Sequence, residues 1–199
     1  MPEAAVIAWG VFFVVCVAWR FWHQRRTTAD SGLRGVSGRP GSVEWWGGML
    51  IVLSFSTLFV VPALEVAGLL TRSHAPRWKV VVGLVTMSLG IAITLAAQIA
   101  MGPSWRVGVR PGERTPLVTT GIFGIVRNPI FSGVILAAAG AAVLVPRPLM
   151  AVAALGSLVG VELQVRRAEE PHLRDVHGAN YAAYTARVGR FLPGLGRRR

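Results

Sequence analysis

Charged residues are scarce in this chain of 199 residues: only 15% are Asp, Glu, Lys or Arg, against about 25% in an ordinary soluble domain. Hydrophobic residues make up 53%. So few polar side chains cannot coat a water-soluble globule of this size, and a chain this apolar does not have the composition of a disordered one. The composition therefore predicts a protein embedded in a lipid bilayer.

Several common ligand-binding motifs are absent. Cys16 is the single cysteine, which excludes an internal disulfide and a cysteine metal cluster. The histidines match no metal-ligand spacing such as HExxH; they are His23, His74, His172 and His177. No Walker loop and no GxGxxG turn follows a strand-like run. We therefore expect no bound metal and no nucleotide site of those two types.

Basic residues outnumber acidic ones by 21 to 9, giving a net charge of +12. Such an excess can indicate a nucleic-acid partner. Here, however, the basic residues fill the gaps between apolar runs, where membrane topology places them. We therefore expect the lipid bilayer, and no nucleic acid, as a partner; the oligomeric state stays open.

Four apolar stretches are long enough to cross a hydrocarbon core of about 30 Å. They are Ala4–Trp19, Trp45–Leu70, Val80–Met101 and the longer block Pro129–Val165. Two prolines interrupt the last block at residues 146–148, which predicts a hairpin with arms of about 17 residues. The first run could be a cleaved signal peptide, but it lacks a basic n-region and a clear cleavage site, which favours an anchor. The predicted fold is all-α: a polytopic membrane helical bundle of five transmembrane helices with a C-terminal helical hairpin and tail.

The basic residues also predict how this single domain, residues 1–199, is oriented. With five spans, 17 of the 21 basic residues lie on one side of the membrane. The positive-inside rule makes that side cytoplasmic. We therefore expect a multi-pass cell-membrane protein whose N-terminus is outside and whose C-terminus is in the cytoplasm.

Four further expectations concern the helices and the segments between them. The glycine-rich linker 24–44 is predicted to be flexible, and Tyr181–Phe191 to form a short amphipathic helix on the membrane surface. Glu65 is expected to snorkel toward the membrane surface. Small residues are expected to permit close helix contact; they are Gly133, Gly140, Gly156 and Gly160.

Several polar residues converge on the predicted cytoplasmic side. They are Gln98, Arg127, Asn128, Glu162, Arg166, Glu169 and Glu170. Glu162, Arg166 and Glu170 have the i,i+4 spacing of ion pairs along one helix. Carboxylates and arginines at the mouth of a bundle could hold a charged cofactor and receive a lipid-borne substrate. Alternatively, they form an interfacial ion-pair ladder whose basic residues meet lipid phosphates.

Five stretches carry a resemblance to a known enzyme family. They are Gly102–Arg106 (GPSWR), Thr115–Phe123 (TPLVTTGIF), Val126–Gly133 (VRNPIFSG), Arg167–Glu170 (RAEE) and Arg187–Pro193 (RVGRFLP). With the predicted hairpin between the third and the fourth, they resemble the isoprenylcysteine carboxyl methyltransferase and phospholipid methyltransferase family. The likeness extends over roughly residues 95–193.

The resemblance implies a membrane enzyme that transfers a methyl group from S-adenosylmethionine to a lipophilic acceptor. The implied cofactor-binding residues are Thr115, Pro116, Leu117, Val118, Phe123, Arg127, Asn128, Pro129, Ile130, Phe131, Glu169 and Glu170. Candidate substrate contacts are Gln98, Trp105, Arg106 and Arg167, and candidate catalytic residues are Arg166 and Glu162. No metal ligand is implied.

The chemistry of the cofactor agrees with these assignments. Its sulfonium is cationic, so Glu169 and the aromatic faces of Phe123 and Phe131 suit it. Arg127 could bind its methionine carboxylate through two parallel hydrogen bonds. Asn128 stands where many relatives have histidine, and an amide cannot act as an acid or a base near neutral pH.

The acceptor and two other functions stay open. An ionised carboxylate needs no base, whereas an amine or a hydroxyl needs one, for which Glu162 and His172 are candidates. The first alternative function is an NADPH-dependent membrane reductase acting on an isoprenoid or sterol-like substrate. The second is a non-enzymatic membrane scaffold or small transporter.

Overall fold

The computed structural model describes residues 1–109, 112 and 114–197. Arg110, Arg198 and Arg199, which enter the charge count, lie outside these residues. The α-helices are α1 (Pro2–Phe12), α2 (Trp19–Thr28), α3 (Val43–Val66), α4 (Arg77–Met101), α5 (Pro129–Leu144), α6 (Pro148–Gln164) and α7 (Glu170–Arg187). A π-helical turn, Phe13–Ala18, joins α1 to α2, and a second one, Val165–Glu169, joins α6 to α7. The described residues thus form the predicted all-α fold.

Four continuous helical stretches are long and apolar enough to cross a membrane. They are Pro2–Thr28, Val43–Val66, Arg77–Ser104 and Pro148–Arg187. The fifth apolar helix, Pro129–Leu144, has 16 residues and is therefore only about 24 Å long. It forms the first arm of the predicted hairpin, which turns at Val145–Arg147 before α6 begins. The chain is a multi-pass membrane protein whose five apolar helices include one shorter than a full span.

Glycines allow the closest helix contacts in the bundle, as predicted. A Cβ atom on Gly133 would lie 2.6 Å from the carbonyl oxygen of Gly90, and one on Gly140 would lie 2.5 Å from the amide nitrogen of Met87, so α5 packs directly on the backbone of α4. A Cβ atom on Gly160 would lie 2.8 Å from a carbonyl oxygen of α3. The small residues therefore set the two closest interfaces, α4 with α5 and α3 with α6.

Glu65 is fully buried at the end of the bundle where the hairpin turns. Its carboxylate forms an ion pair with Arg147 of the hairpin turn and accepts hydrogen bonds from the Ser73 amide, at 3.0 Å, and the Ser73 hydroxyl, at 2.9 Å. The expectation that Glu65 snorkels is therefore wrong. The hairpin brings a cation to the carboxylate, which makes reaching for the membrane surface unnecessary.

The linker 24–44 is more ordered than its glycine content predicts. Its first residues continue α2 as far as Thr28. The Val107 amide donates to the Gly32 carbonyl at 2.8 Å, and the Gln164 amide group donates to the Ser37 hydroxyl at 2.7 Å. The prediction of a flexible linker is corrected accordingly, because these contacts tie it to the segment after α4 and to the end of α6.

The last helix differs from the predicted amphipathic helix Tyr181–Phe191. It ends at Arg187 and is kinked at Gly178, whose φ of 49° and ψ of −122° interrupt the helical backbone. Tyr181 and Tyr184 are buried. The prediction is therefore wrong at its C-terminal boundary and in placing this face on the membrane surface, since the aromatic residues pack inside the protein.

Candidate functional site

Two of the sequence segments that carry the resemblance, those that contain Arg127 and Glu170, meet in space. Arg127, just before α5, places Nη2 3.0 Å from Oε1 of Glu170, at the start of α7, and both side chains are 1% exposed. Arg190 donates from Nε to the same oxygen at 2.7 Å and from Nη2 to Oε2 at 3.2 Å. One buried carboxylate is thus held by two guanidinium groups, an arrangement that we call the Glu170 lock.

The remaining hydrogen bonds of Arg127 go to the polypeptide backbone. Its Nη1 donates to the carbonyls of Val188, at 2.7 Å, and Thr185, at 3.1 Å, and its Nη2 also donates to that of Gly196, at 3.1 Å. Arg127 therefore presents no free pair of donors to a ligand. The prediction that Arg127 and Glu170 contact the cofactor is corrected: they bind each other, because a buried charge needs partners within the protein.

The start of α5 is also tied to the C-terminal tail through the backbone. The Arg127 amide donates to the Gly189 carbonyl at 2.8 Å. The backbone amide and the side-chain Nδ2 of Asn128 both donate to the Arg190 carbonyl, at 3.0 and 3.1 Å. Asn128 therefore binds the C-terminal tail, and its side chain does not cap α5, whose first turn contains Pro129. Arg190 lies within the signature RVGRFLP, but no pattern in the sequence indicates its pairing with Glu170.

A π-helical turn explains why the predicted ion-pair ladder forms only in part. Glu162 and Arg166 form the expected i,i+4 pair. The expected pair of Arg166 with Glu170 is replaced by the Glu170 lock. In the turn Val165–Glu169, the Glu170 amide donates to the carbonyl five residues earlier, which widens the helix and changes the direction of the side chains that follow.

Glu169 lies beside the lock but takes no part in it. Its side chain is half-buried, and no hydrogen bond or ion pair joins it to another residue in the part of the chain that the structure describes. The two adjacent glutamates therefore differ. The carboxylate of Glu170 is paired with arginines of the protein, whereas that of Glu169 is unpaired among the described residues. A half-buried carboxylate of this kind can receive a cationic ligand.

The predicted segment Thr115–Val118 has no regular secondary structure and is partly exposed. Within the described residues its backbone groups make no hydrogen bonds to the rest of the chain. Leu117 packs against Tyr181 and Tyr184 of α7, and the Tyr184 hydroxyl donates to the carbonyl of the buried Phe123 at 2.6 Å. The segment is therefore held against α7 by its side chains while its amide and carbonyl groups stay available.

Among the other predicted cofactor residues, Pro129 is buried, while Ile130 and Phe131 are half-buried in the first turn of α5.

A pocket of about 430 Å³ lies between the chain before Thr115 and α7. Its lining residues are Val109, Gly112, Arg114, His172, Asp175 and Val176. His172 was a minor candidate for a base, and Asp175 was not singled out because nothing in its sequence neighbourhood marks it.

The predicted substrate contacts do not share one surface. Gln98 donates from Nε2 to the Cys16 carbonyl at 2.9 Å, a contact between helices, and Trp105 is 2% exposed. Arg106 donates to the Ser104 carbonyl at 3.2 Å, while Arg167 is exposed. Gln98 and Trp105 thus serve packing in this structure, and the residue with the freest access to an acceptor is Arg167.

Comparison with known proteins agrees with this fold and these segments. The profile of the family described as Phospholipid methyltransferase matches residues 78–180. Protein-S-isoprenylcysteine O-methyltransferase B of Arabidopsis thaliana is 29% identical over 113 residues, which are 56% of this chain and 57% of that protein. The chain therefore matches little more than half the length of this curated relative.

A solved structure has a similar fold over nearly the whole of this chain. It is that of the eukaryotic intramembrane Ras methyltransferase, isoprenylcysteine carboxyl methyltransferase; the TM-score is 0.62 at 20% sequence identity, covering 98% of this chain and 70% of that chain. The family profile spans α4 to α7 and includes the Arg127 segment and both glutamates. Because it matches more than half of the residues, the chain belongs to the isoprenylcysteine carboxyl methyltransferase and phospholipid methyltransferase family.

Proposed function

We propose that this protein transfers a methyl group from S-adenosylmethionine to a lipophilic acceptor that reaches it from the bilayer. The observation that carries the proposal is the unpaired carboxylate of Glu169 beside the buried Glu170 lock. Family membership supports a methyltransferase, and the named relatives are O-methyltransferases of isoprenylcysteine. Neither feature is expected of a non-enzymatic scaffold, which has no need of an unpaired half-buried charge.

Glu169 and other residues of the predicted cofactor segments fit the chemistry of this cofactor. S-adenosylmethionine supplies a methyl group attached to a positively charged sulfur. A half-buried carboxylate at Glu169 favours such a cation, and the ring of Phe131 adds an aromatic face. The free backbone groups of Thr115–Val118 suit the hydrogen-bonding edge of an adenine. Phe123, which follows this segment, is buried.

The same residues favour an acceptor that is already anionic. The carboxylate of Glu162 is occupied by an ion pair with Arg166. Asn128 has no titratable proton. The exposed guanidinium group of Arg167 is suited to bind a carboxylate. We therefore propose a carboxylate on a prenyl-type or other lipophilic molecule as the acceptor, with the cofactor entering from the cytoplasm.

Binding of S-adenosylhomocysteine, measured by calorimetry on the full chain in detergent or nanodiscs, tests the proposal. Glu169→Gln should weaken binding of S-adenosylmethionine, whose sulfur carries the charge that Glu169 would receive, by about 10- to 100-fold, since a hydrogen bond or contact to a charged group contributes about 1.5–3 kcal/mol. Glu3→Gln, a change of the same type at the start of α1, where Glu3 pairs with Arg72, should leave the affinity unchanged. Absence of binding at millimolar ligand, or displacement of bound ligand by NADPH, would contradict the proposal; the second result would indicate a reductase.

The acceptor can be identified directly. Incubating the protein with a membrane lipid extract and trideuteromethyl-labelled cofactor should produce a labelled lipid that mass spectrometry detects. A label that alkaline hydrolysis releases indicates an ester, and therefore a carboxylate acceptor. A label that resists hydrolysis indicates an amine or a hydroxyl and would refute the proposed acceptor class while leaving methyl transfer intact.

A further inference from the structure

The C-terminal end of α4 is completed by residues from another helix. The last turn of α4 contains no basic residue of its own, although the carbonyls that end a helix attract donors and cations. Arg20 of α2 donates from Nη2 to the Gly102 carbonyl at 2.6 Å. One turn later, Gln24 donates from Nε2 to the Pro103 carbonyl at 2.9 Å. Helix α2 therefore holds the turn Gly102–Ser104 that directly follows α4.

The burial of Arg20 is unusual for a charged residue. Its side chain is among the largest that are fully buried, with the residue 2% exposed, and its Nε has no hydrogen-bond partner. Among the residues that the structure describes, no carboxylate pairs with it. Its charge is balanced instead by the helix end and by the face of Trp105, whose ring centroid is 4.8 Å from Cζ.

The contact between these helices is reciprocal. Immediately before α2, the π-helical turn Phe13–Ala18 widens the helix, and the Cys16 carbonyl accepts the side chain of Gln98 from α4 at 2.9 Å. Thus a side chain of α4 donates a hydrogen bond to the π-helical turn before α2, and side chains of α2 donate hydrogen bonds to the chain at the end of α4. Such π turns are frequent at functional sites, and this one brings Arg20 and Gln24 toward the end of α4.

The chain that leaves the turn Gly102–Ser104 leads to the proposed cofactor segment. Trp105 lies between Arg20 and the edge of the Phe21 ring, with ring centroids 5.3 Å apart. Two residues later, the Val107 amide donates to the Gly32 carbonyl at 2.8 Å. The chain then runs on to Thr115–Val118. The contacts of Arg20 with Gly102 and Trp105 therefore determine the direction in which the chain leaves α4.

We propose that Arg20 is a positioning residue for the methyl-transfer site, which it orients by fixing the segment 102–109 that precedes Thr115–Val118. This inference rests on the proposed function. Arg20 touches neither cofactor nor acceptor; it acts through Gly102 and Trp105. Lysine keeps the charge and one donor but loses the planar group that stacks on the ring while it hydrogen-bonds the carbonyl.

The test compares Arg20→Lys with Arg26→Lys. Arg26 is on the same helix and also lies over a tryptophan, with Cζ 4.7 Å from the ring centroid of Trp22, but both residues are exposed. Arg20→Lys should speed hydrogen exchange of the amides in 105–109 and weaken S-adenosylhomocysteine binding, each by about tenfold. In this variant kcat at saturating cofactor should stay nearly unchanged, and KM for the cofactor should rise. Arg26→Lys should change none of these.

A milder second variant covers the case in which Arg20→Lys does not fold. Gln24→Leu removes only the bond to Pro103 and should move exchange and affinity in the same direction by a smaller factor. Unchanged exchange of 105–109 in both folded variants overturns the proposal, and so does faster exchange with unchanged cofactor affinity. If the unmodified protein binds no S-adenosylhomocysteine, the proposed function itself fails, whatever the exchange rates of the variants.

Discussion

Replacing each of two adjacent glutamates by glutamine should have opposite consequences. Glu170 is 1% exposed and accepts three hydrogen bonds from Arg127 and Arg190. Glu169 is half-buried and has no partner in the described part of the chain. Glu170→Gln should therefore destabilise the fold. Glu169→Gln should leave stability nearly unchanged and reduce cofactor affinity.

The expected cost at Glu170 follows from the charges that the substitution leaves behind. Glutamine has nearly the same shape but no negative charge, so two buried guanidinium groups lose their counter-charge, and the side-chain amide group turns a donor toward one of them. Removing one partner of a buried ion pair typically costs about 3–5 kcal/mol. A substitution at Glu169, outside the lock, should stay within about 0.5 kcal/mol of the unmodified protein.

Reversible unfolding in mixed micelles, with an increasing mole fraction of denaturing detergent, gives the free energy of unfolding for all three proteins. The unmodified protein and Glu169→Gln should unfold together, and Glu170→Gln should unfold at a lower mole fraction. Equal stability of the two variants would refute the assignment of Glu170 to a structural lock. A large loss in Glu169→Gln alone would show that the roles of the two glutamates are reversed.

Three other predictions follow from local geometry. Gly90→Ala places a Cβ atom 2.4 Å from a backbone nitrogen of α5 and should lower the free energy of unfolding by about 1–3 kcal/mol, whereas Gly10→Ala, with no atom within 4 Å, should not lower it. Tyr184→Phe removes a buried hydrogen bond and should cost about 1 kcal/mol in the same assay. The hydrogen bond from Arg34 holds the pKa of the Asp30 carboxyl well below its usual range. Protection of the backbone amides of residues 29–35 from hydrogen exchange, corrected for intrinsic rates, should therefore be complete above about pH 4 and decline as the pH falls further. The variant Asp30→Asn should remove this acid dependence.

The architecture could be read from the sequence because it depends on local rules. Apolar runs of sufficient length and the prolines at 146 and 148 are enough to predict the helices and the hairpin. The glycines at 133 and 140 correctly indicated close helix contact, because a glycine inside a membrane helix has few other uses. The segments of the candidate site were found by resemblance, and the structure brings them together.

The roles of individual residues in the site depend on contacts that no local rule contains. An ideal period of 3.6 residues places Glu170 above Arg166, but the π turn Val165–Glu169 changes that register. The partner of Arg190 lies 20 residues earlier, and that of Arg127 lies 43 residues later. Sequence spacing cannot show that the tail folds back to complete the lock. Glu65 was misread for the same reason, since its cation is 82 residues away.

One structural feature, the π turn Val165–Glu169, therefore separates the roles of the two glutamates of the signature. Had α6 continued into α7 without the π turn, Glu170 would have joined the exposed pair Glu162–Arg166, and the guanidinium group of Arg127 would have been left buried without a counter-charge. The π turn moves Glu170 inward, where burial makes pairing with Arg127 and Arg190 necessary. The neighbouring Glu169 then lies beside the lock with no partner among the described residues, and a carboxylate placed in this way can receive a cationic ligand.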